Sequence, residues 1–340
     1  MDRRLVVLAL LIGCGSPTEP PVGPVDRPNL EGPLPYDRLS TYGFFVRSPD
    51  HPISVLSPAP GVVPYEVNAP LWSDGMEKAR FIVLPEGGHA TIGDDGEWDL
   101  PIGSVLIKTF SDGERRLETR LLVREASGYK PHVYLWDADQ TDALKIVAGK
   151  RVVLTRDQTY LVPNTNQCGS CHERDDVSLS LGLVTRQMNR GLQLASLVEA
   201  GVLTALPEPS HLEAQPPLVD PYDDESGLTD RARSWLDANC SHCHREGGGG
   251  GPSGLVLLRD ETVPSRYGVC KGAVAAGGAT GDRLVDIWPG HPERSILVHR
   301  IESTEPDVKM PELPNLLPDP RGLKLIRDFI AALPEDDCGL

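Results

Sequence analysis

Short runs of branched and aromatic residues, separated by turn residues, fill the chain from about residue 36 to residue 160. Turns such as Pro-Glu-Gly-Gly and Ser-Asp-Gly bound these runs, as is typical of strands. In one run, apolar and polar residues alternate as in a strand with one buried face. The pattern predicts a β-sandwich or barrel. Its expected strands are Ala79–Leu84, Ser104–Phe110, Arg115–Arg124, His132–Trp136 and Lys150–Thr155.

Helical spacing of apolar residues appears later in the chain. It predicts a helix over about Val177–Ala200 and a C-terminal helix over about Arg321–Leu333, which is bracketed by prolines. Thr229 can cap another helix through Arg231–Asn239. Residues 204–228 are rich in proline and acidic residues and are interpreted as a linker.

The N-terminus has the pattern of a bacterial lipoprotein signal. Two arginines precede the apolar run Leu5–Ile12, which is too short to span a bilayer. The sequence Leu-Ile-Gly-Cys that ends at Cys14 resembles a lipobox, which implies cleavage before Cys14 and lipid on its thiol. We expect a signal peptide over 1–13 and a proline-rich tether over 14–35, with an ordinary signal peptide as the alternative. The protein would then be exported and lipid-anchored to a bacterial membrane, facing the periplasm or the cell surface.

The pattern C-x-x-C-H occurs twice in the chain. Two thiols at this spacing can form thioethers to the two vinyl groups of one haem, and the following histidine is the proximal axial ligand. We therefore predict two covalently attached haem c groups. The predicted binding residues are Cys168, Cys171 and His172 for the first haem, and Cys240, Cys243 and His244 for the second.

Three other interpretations of the cysteine pairs stay open. A four-thiolate zinc site usually has about 15–20 residues between its pairs, whereas residues 172–239 separate the pairs here. A thioredoxin-like redox pair expects a βαβ context. Disulfides within the pairs would be strained. None of the three explains the histidine that follows each pair.

The cysteine count adds a disulfide prediction. The chain has 7 cysteines; after one for lipid and four for haem, Cys270 and Cys338 are left. Disulfides persist in exported proteins, so we predict that these two are bonded, with two free thiols as the alternative.

The C-terminal part resembles a class I cytochrome c domain. A helix leads into Asn239–His244, the segment Trp288–Ser295 precedes Lys309-Met310-Pro311, and an amphipathic helix ends the domain. In that family the methionine of the Met-Pro step is the distal axial ligand. The resemblance implies that Met310 binds the second iron opposite His244; core packing is the alternative role.

Further segments, in order along residues 40–335, resemble a family of bacterial dihaem c-type cytochromes. They are Trp72–Gly75, Leu106–Phe110, Leu117–Arg120, Tyr134–Trp136, Leu181–Leu183 and Gln187–Arg190. The resemblance implies an architecture and a cofactor but no substrate. The predicted fold class is multidomain β + α. Its parts are a β-sandwich or barrel-like domain over 36–160, a haem-bearing helical segment over 161–203, the linker, and an all-α class I cytochrome c-like domain over 229–340.

The distal ligand of the first haem is not fixed by a motif. Met188, on the predicted helix after the motif, is one candidate. His242 belongs to the second motif and is expected to be too constrained to reach the first haem. The other candidates are an open iron or a more distant histidine, namely His132, His211 or His299.

These expectations favour an electron carrier over a catalytic haem oxidoreductase, and we predict no catalytic residues. The alternatives are a peroxidase-like enzyme with an open first haem, and a binding module with a redox domain. The net charge of −16 argues against nucleic acid as a partner. We expect redox partner proteins, and contact with a membrane through the N-terminal lipid only.

Overall fold

The computed structural model describes residues 27–46, 56–154, 158–274, 276–313 and 315–340. Within these residues the strands are β1 Val62–Pro64, β2 Glu77–Val83, β3 Thr91–Ile92, β4 Trp98–Asp99, β5 Val105–Asp112, β6 Arg115–Glu125, β7 Gly128–Trp136, β8 Ala143–Ile146, β9 Lys150–Val153, β10 Thr159–Val162, β11 Glu173–Arg174 and β12 Val177–Ser178. The helices are α1 Thr165–His172, α2 Thr185–Met188, α3 Gln193–Glu199, α4 Pro209–Ala214, α5 Leu228–Cys240, α6 Ile296–Glu302 and α7 Pro320–Ala331. Short 3-10 turns lie at Leu39–Tyr42, Gly251–Ser253, Gly277–Thr280 and Pro292–Arg294.

The predicted signal peptide and the lipid site Cys14 lie outside the described residues, as does most of the tether. At the end of the tether, Leu30 and Leu34 pack against the sheet. Among the residues described, none of the helices is both long enough and apolar enough to cross a bilayer.

One large mixed sheet organises the N-terminal half. Its strand order is β1-β2-β5-β6-β7-β12-β11, with β8 also paired to β7. Neighbouring strands are antiparallel, except that Ser178 of β12 pairs in parallel with Gly128 of β7. All five predicted strands are present: four are β2, β5, β6 and β7, and the fifth, β9, pairs with β10 outside this sheet. Their branched and aromatic residues suit a pleated, packed surface.

The predicted fold class is wrong. The strands form one large mixed sheet in place of a sandwich or barrel. Residues 229–340 do not form an all-α domain, because long irregular segments and isolated β-bridges separate α5, α6 and α7. The stretch from 245 to 281 is rich in glycine and proline, which favour turns over helix. The resemblance of two helical segments to a known domain therefore did not predict the structure between them.

The helix predicted over 177–200 is also wrong. Gly182 and Gly191 adopt φ angles of 88° and 49°, in the left-handed region that glycine enters without steric cost. These two residues interrupt the helical path, so only α2 and α3 remain helical. The later helix α5 begins at Leu228, and Gly227 occupies the N-cap position predicted for Thr229.

Both faces of the central sheet are covered. One face packs against the N-terminal segment, in a cluster that includes Tyr42 and Phe81. The opposite face carries two clusters, one around Leu106 and one around Phe110. The alternation along β6 predicted a solvent-exposed polar face, yet Glu118 on that face is 0% exposed. The polar face of β6 is therefore turned toward the interior of the protein.

A loop beginning at Trp72 joins the sheet to the C-terminal part. The backbone N–H of Trp72 donates to Asn239 Oδ1 at 2.7 Å, and its indole donates to the Leu317 carbonyl at 2.9 Å. The buried carboxylate of Asp74 accepts from the backbone N–H groups of Leu316 and Leu317 at 2.8–3.0 Å. Because Asn239 directly precedes Cys240, this loop fixes the second motif relative to the sheet.

Replacing Asp74 by Ala should destabilise the protein. Two N–H groups in partly buried hydrogen bonds would lose their acceptor, and each unsatisfied donor costs about 1–3 kcal/mol, with the lower end applying where water reaches it. We expect the free energy of unfolding in urea to fall by about 3 kcal/mol. Asp139→Ala, at an exposed acid, serves as the control and should change it by less than about 0.5 kcal/mol. Equal effects of the two substitutions would contradict the role assigned to Asp74.

Candidate functional site

The first motif lies on α1, which begins with a capping box. The Asn164 side chain accepts from the Gln167 backbone N–H, and the Gln167 side chain accepts from the Asn164 backbone N–H, both at 2.9 Å. This reciprocal pair starts a helix just before the motif and places Cys168, Cys171 and His172 on it. The spacing of Asn164 and Gln167 was a readable signal for this helix that the sequence analysis missed.

The second motif begins where α5 ends, at Cys240. The backbone N–H of His244 donates to the Cys240 carbonyl at 2.9 Å, and that of Gly250 donates to the Cys243 carbonyl at 3.0 Å. A Cβ atom at Gly250 would lie 3.0 Å from His244 Nδ1. The glycine-rich loop therefore packs closely on the motif and supports its histidine.

Hydrogen bonds fix the tautomer of both motif histidines. His172 Nδ1 lies 2.8 Å from the Leu179 carbonyl, which can only accept, so Nδ1 carries the proton and Nε2 keeps a free lone pair. His244 Nδ1 lies 3.3 Å from Ser253 Oγ, whose own proton goes to the Gly250 carbonyl. Burial lowers the pKa of His172 to about 4 and also lowers the pKa of His244. Both rings are therefore neutral imidazoles at neutral pH, as metal ligation requires.

The motifs border two adjoining cavities, which share Cys171 and His242 in their walls. The first cavity, of about 410 Å³, is bordered by Cys168 and His172. The second, of about 540 Å³, is bordered by Cys240 and His244, and Met310 lies in its wall. Met310 thus borders the same space as the histidine that it was expected to face.

The other predicted distal ligands lie away from the first cavity. Met188 is 0% exposed and packs in a core cluster with Trp98 and Leu183. In the part of the chain that the structure describes, Met188 borders neither cavity, and the same holds for His132, His211 and His299. His242, which was expected to be too constrained, borders both cavities.

The two motifs meet at their second cysteines. The Sγ atoms of Cys171 and Cys243 and a ring nitrogen of His242 lie within 4.8 Å of one another. These three groups could hold a metal ion. Cys168 and Cys240, however, pack in two separate core clusters, so the four thiols do not converge on the tetrahedral site that zinc prefers. All four are free thiols.

Glu97 joins the segments that follow the two motifs. Arg174 donates to both of its carboxylate oxygens, at 2.6 and 2.8 Å, and Arg245 donates to one of them at 3.3 Å. The hydrogen bond from Arg174, with the charges of both arginines, lowers the pKa of Glu97. The sequence contains no pattern that links these three residues.

A disulfide joins Cys270 to Cys338, with an S–S distance of 2.04 Å. It connects a loop in the C-terminal part to the tail beyond α7. They are the two cysteines that remained after one was assigned to lipid and four to haem.

The donor set fits haem c. Each cavity is bordered by the two free thiols of one motif and by the neutral imidazole of the same motif, and the lining surface of each cavity is mainly apolar. His242 also borders both cavities. Comparison of the chain with protein-family models, curated proteins and solved structures finds no match.

Glu97→Gln should make stability less dependent on pH in the acid range. The folded pKa of Glu97 is below its ordinary value of 4.5, so its ion pairs stabilise the fold above about pH 4.5 and are lost as pH falls through the folded pKa. At pH 7 we expect the free energy of unfolding to fall by about 2 kcal/mol. This difference from the wild type should shrink below pH 4.

The measurement is urea unfolding of both proteins between pH 3 and pH 7. Glu86→Gln is the matched control, because the Glu86 side chain is 89% exposed. A difference between wild type and Glu97→Gln that stays constant across this range would exclude the charge of Glu97 as the cause.

Proposed function

We propose that this protein transfers electrons and holds two covalently attached haem c groups, one at each C-x-x-C-H motif. The observation that carries the proposal is that the motifs border two adjoining cavities and meet at Cys171 and Cys243. When bound, haem supplies one-electron redox chemistry. Two attachment sites in contact suit the passage of electrons from one cofactor to the other.

The residues of the site have distinct parts in this proposal. The four motif cysteines hold the cofactors, and His172 and His244 each present Nε2 to an iron. The Leu179 carbonyl orients His172 through Nδ1, and such a hydrogen bond also raises the basicity of a ligating imidazole. Met310, in the wall of the second cavity, would hold the second haem together with His244. A thioether opposite an imidazole raises the reduction potential relative to two imidazoles.

The disulfide suits an exported protein, and export is what covalent haem attachment requires. Covalent haem attachment occurs on the exported side of a bacterial membrane, and a disulfide such as Cys270–Cys338 persists in an oxidising compartment. We propose that lipid at Cys14 anchors the protein there. Its net charge of −16 suits redox partner proteins with a basic docking surface.

A haem enzyme with an open first iron is the second candidate. One observation favours it: among the described residues, the first cavity is bordered by no methionine, and His242 is the only imidazole there besides His172. If His242 does not bind the iron, a small molecule could.

Carbon monoxide separates the two candidates. We expect the visible spectrum of the haem-loaded, dithionite-reduced protein to stay unchanged on addition of carbon monoxide, because binding of His242 to the first iron and of Met310 to the second would leave no vacant position. A change in about half of the haem would favour the enzyme with an open first iron.

Substitution of Met310 by Ala should open the iron at His244. We expect carbon monoxide to change the spectrum of an additional half of the total haem. Met188→Leu is the matched control, since Met188 borders neither cavity, and it should leave the spectrum unchanged. A response to Met188→Leu but not to Met310→Ala would reverse the two assignments.

A further inference from the structure

Three cations form a row on the wall of the first cavity. Arg80 on β2 pairs directly with Lys108 on β5, and Lys108 pairs directly with Arg120 on β6. Cross-strand partners share one face of a sheet, so the three side chains lie next to one another. All three border the cavity that contains His172.

The row carries more positive charge than its protein partners neutralise. Glu118 accepts from Arg120 at 2.9 and 2.5 Å, and the exposed Glu66 lies 3.4 Å from Arg80. Within the described parts of the chain, Lys108 forms no ion pair with a carboxylate. Like charges on directly opposed residues destabilise a sheet, and a partly buried charge needs a partner. The middle of the row therefore offers positive charge to an anionic ligand.

The surroundings of the row indicate the kind of anion. Leu106 and Leu122 lie beside it on the same sheet face, and the Phe110 ring centroid lies 5.2 Å from the Lys108 ammonium and 4.3 Å from the Arg120 guanidinium. Burial, together with the neighbouring cations, lowers the pKa of Lys108 well below its usual range, so an anion bound beside Lys108 would favour its charged form. The matching ligand is a large apolar molecule with carboxylate groups at one edge.

We propose that the row of Arg80, Lys108 and Arg120 binds the propionate carboxylates of the haem attached at Cys168 and Cys171, an inference that rests on the proposed function. A free small anion would offer the same charge to the row. The porphyrin is favoured because the leucines beside the row provide an apolar wall for its ring, which a small anion would leave uncovered.

Acidic side chains of the same cavity do not fill this role. Glu97 is held by Arg174 and Arg245, and both Asp237 and Asp260 lie close to Arg186, at 3.5 and 3.4 Å. The fourth acid, Asp95, accepts from the backbone N–H of Glu97. In the described structure none of the four forms an ion pair with the row, which leaves the row to an external carboxylate.

The test uses the haem-loaded full chain and the substitution Lys108→Met. Haem content is measured first by intact mass, then the reduction equilibrium of each haem, then the propionate bending band in the resonance Raman spectrum. Loss of a nearby positive charge disfavours the reduced haem. We expect its equilibrium constant for reduction to fall on the order of tenfold, and its propionate band to shift.

Two further substitutions serve as controls. Lys108→Arg keeps the charge and should restore both readouts. Lys145→Met removes a sheet lysine that borders neither cavity and pairs with Asp37 at 2.8 Å, and it should change neither readout. If Lys108→Met does not fold, Arg80→Gln is measured in the same way, with the same expectation for the propionate band.

The possible results are separable. Absence of covalent haem from the wild-type chain would overturn the proposed function and this inference together. Two haems with an unchanged propionate band in Lys108→Met would overturn this inference alone, even if the reduction equilibrium shifts. A saturable spectral change on adding inorganic phosphate, lost in Lys108→Met with the propionate band unchanged, would assign the row to a free anion and also overturn it.

Discussion

The contact between the Trp72 loop and the C-terminal part is the constraint on which the site depends. Asn239 and the backbone of residues 316–317 are held to this loop by hydrogen bonds, most of them partly buried. Together with the ion pairs of Glu97, this contact holds the two motifs beside each other, so that Cys171 meets Cys243. The proximity of the motifs is thus a product of tertiary packing, although the residues of each motif are adjacent in sequence.

A second organising feature is charge inside the sheet. The polar side of β6 faces a cavity and carries Glu118 and Arg120, which pair with each other. An alternating strand in an antiparallel sheet normally has one solvated face. Here the polar face of β6 lies against the first cavity. The same alternation therefore does not indicate a face exposed to solvent. Arg120 of this strand borders the first cavity.

Local signals in the sequence predicted local structure well. The five strands are present because branched residues and turn residues act over short distances. Each Cys-x-x-Cys-His motif lies beside a cavity, and Met310 borders the second one. The fold class was wrong because it depends on which strands pair and on the glycine-rich path between α5 and α6. Met188 illustrates the same limit: its position on a predicted helix carried no information about the cluster that buries it.

The row of cations was beyond sequence reasoning for a related reason. Arg80, Lys108 and Arg120 are far apart in the chain, and only the register of three strands brings them side by side. A shift of one residue in either pairing would place Lys108 on the opposite face. The ion pairs of Glu97 with Arg174 and Arg245 likewise join three distant segments. Groupings of this kind arise from the tertiary structure and leave no pattern in the sequence.

The meeting of Cys171 and Cys243 has a consequence for the maturation of the protein. In an oxidising compartment, two neighbouring thiols can be joined by thiol–disulfide exchange. Under the proposed function, a bond between these two would consume one attachment point of each haem at once. Cofactor loading would then compete with oxidation of this one pair of thiols, and whichever haem was attached first would also protect the thiol of the other site from this pairing.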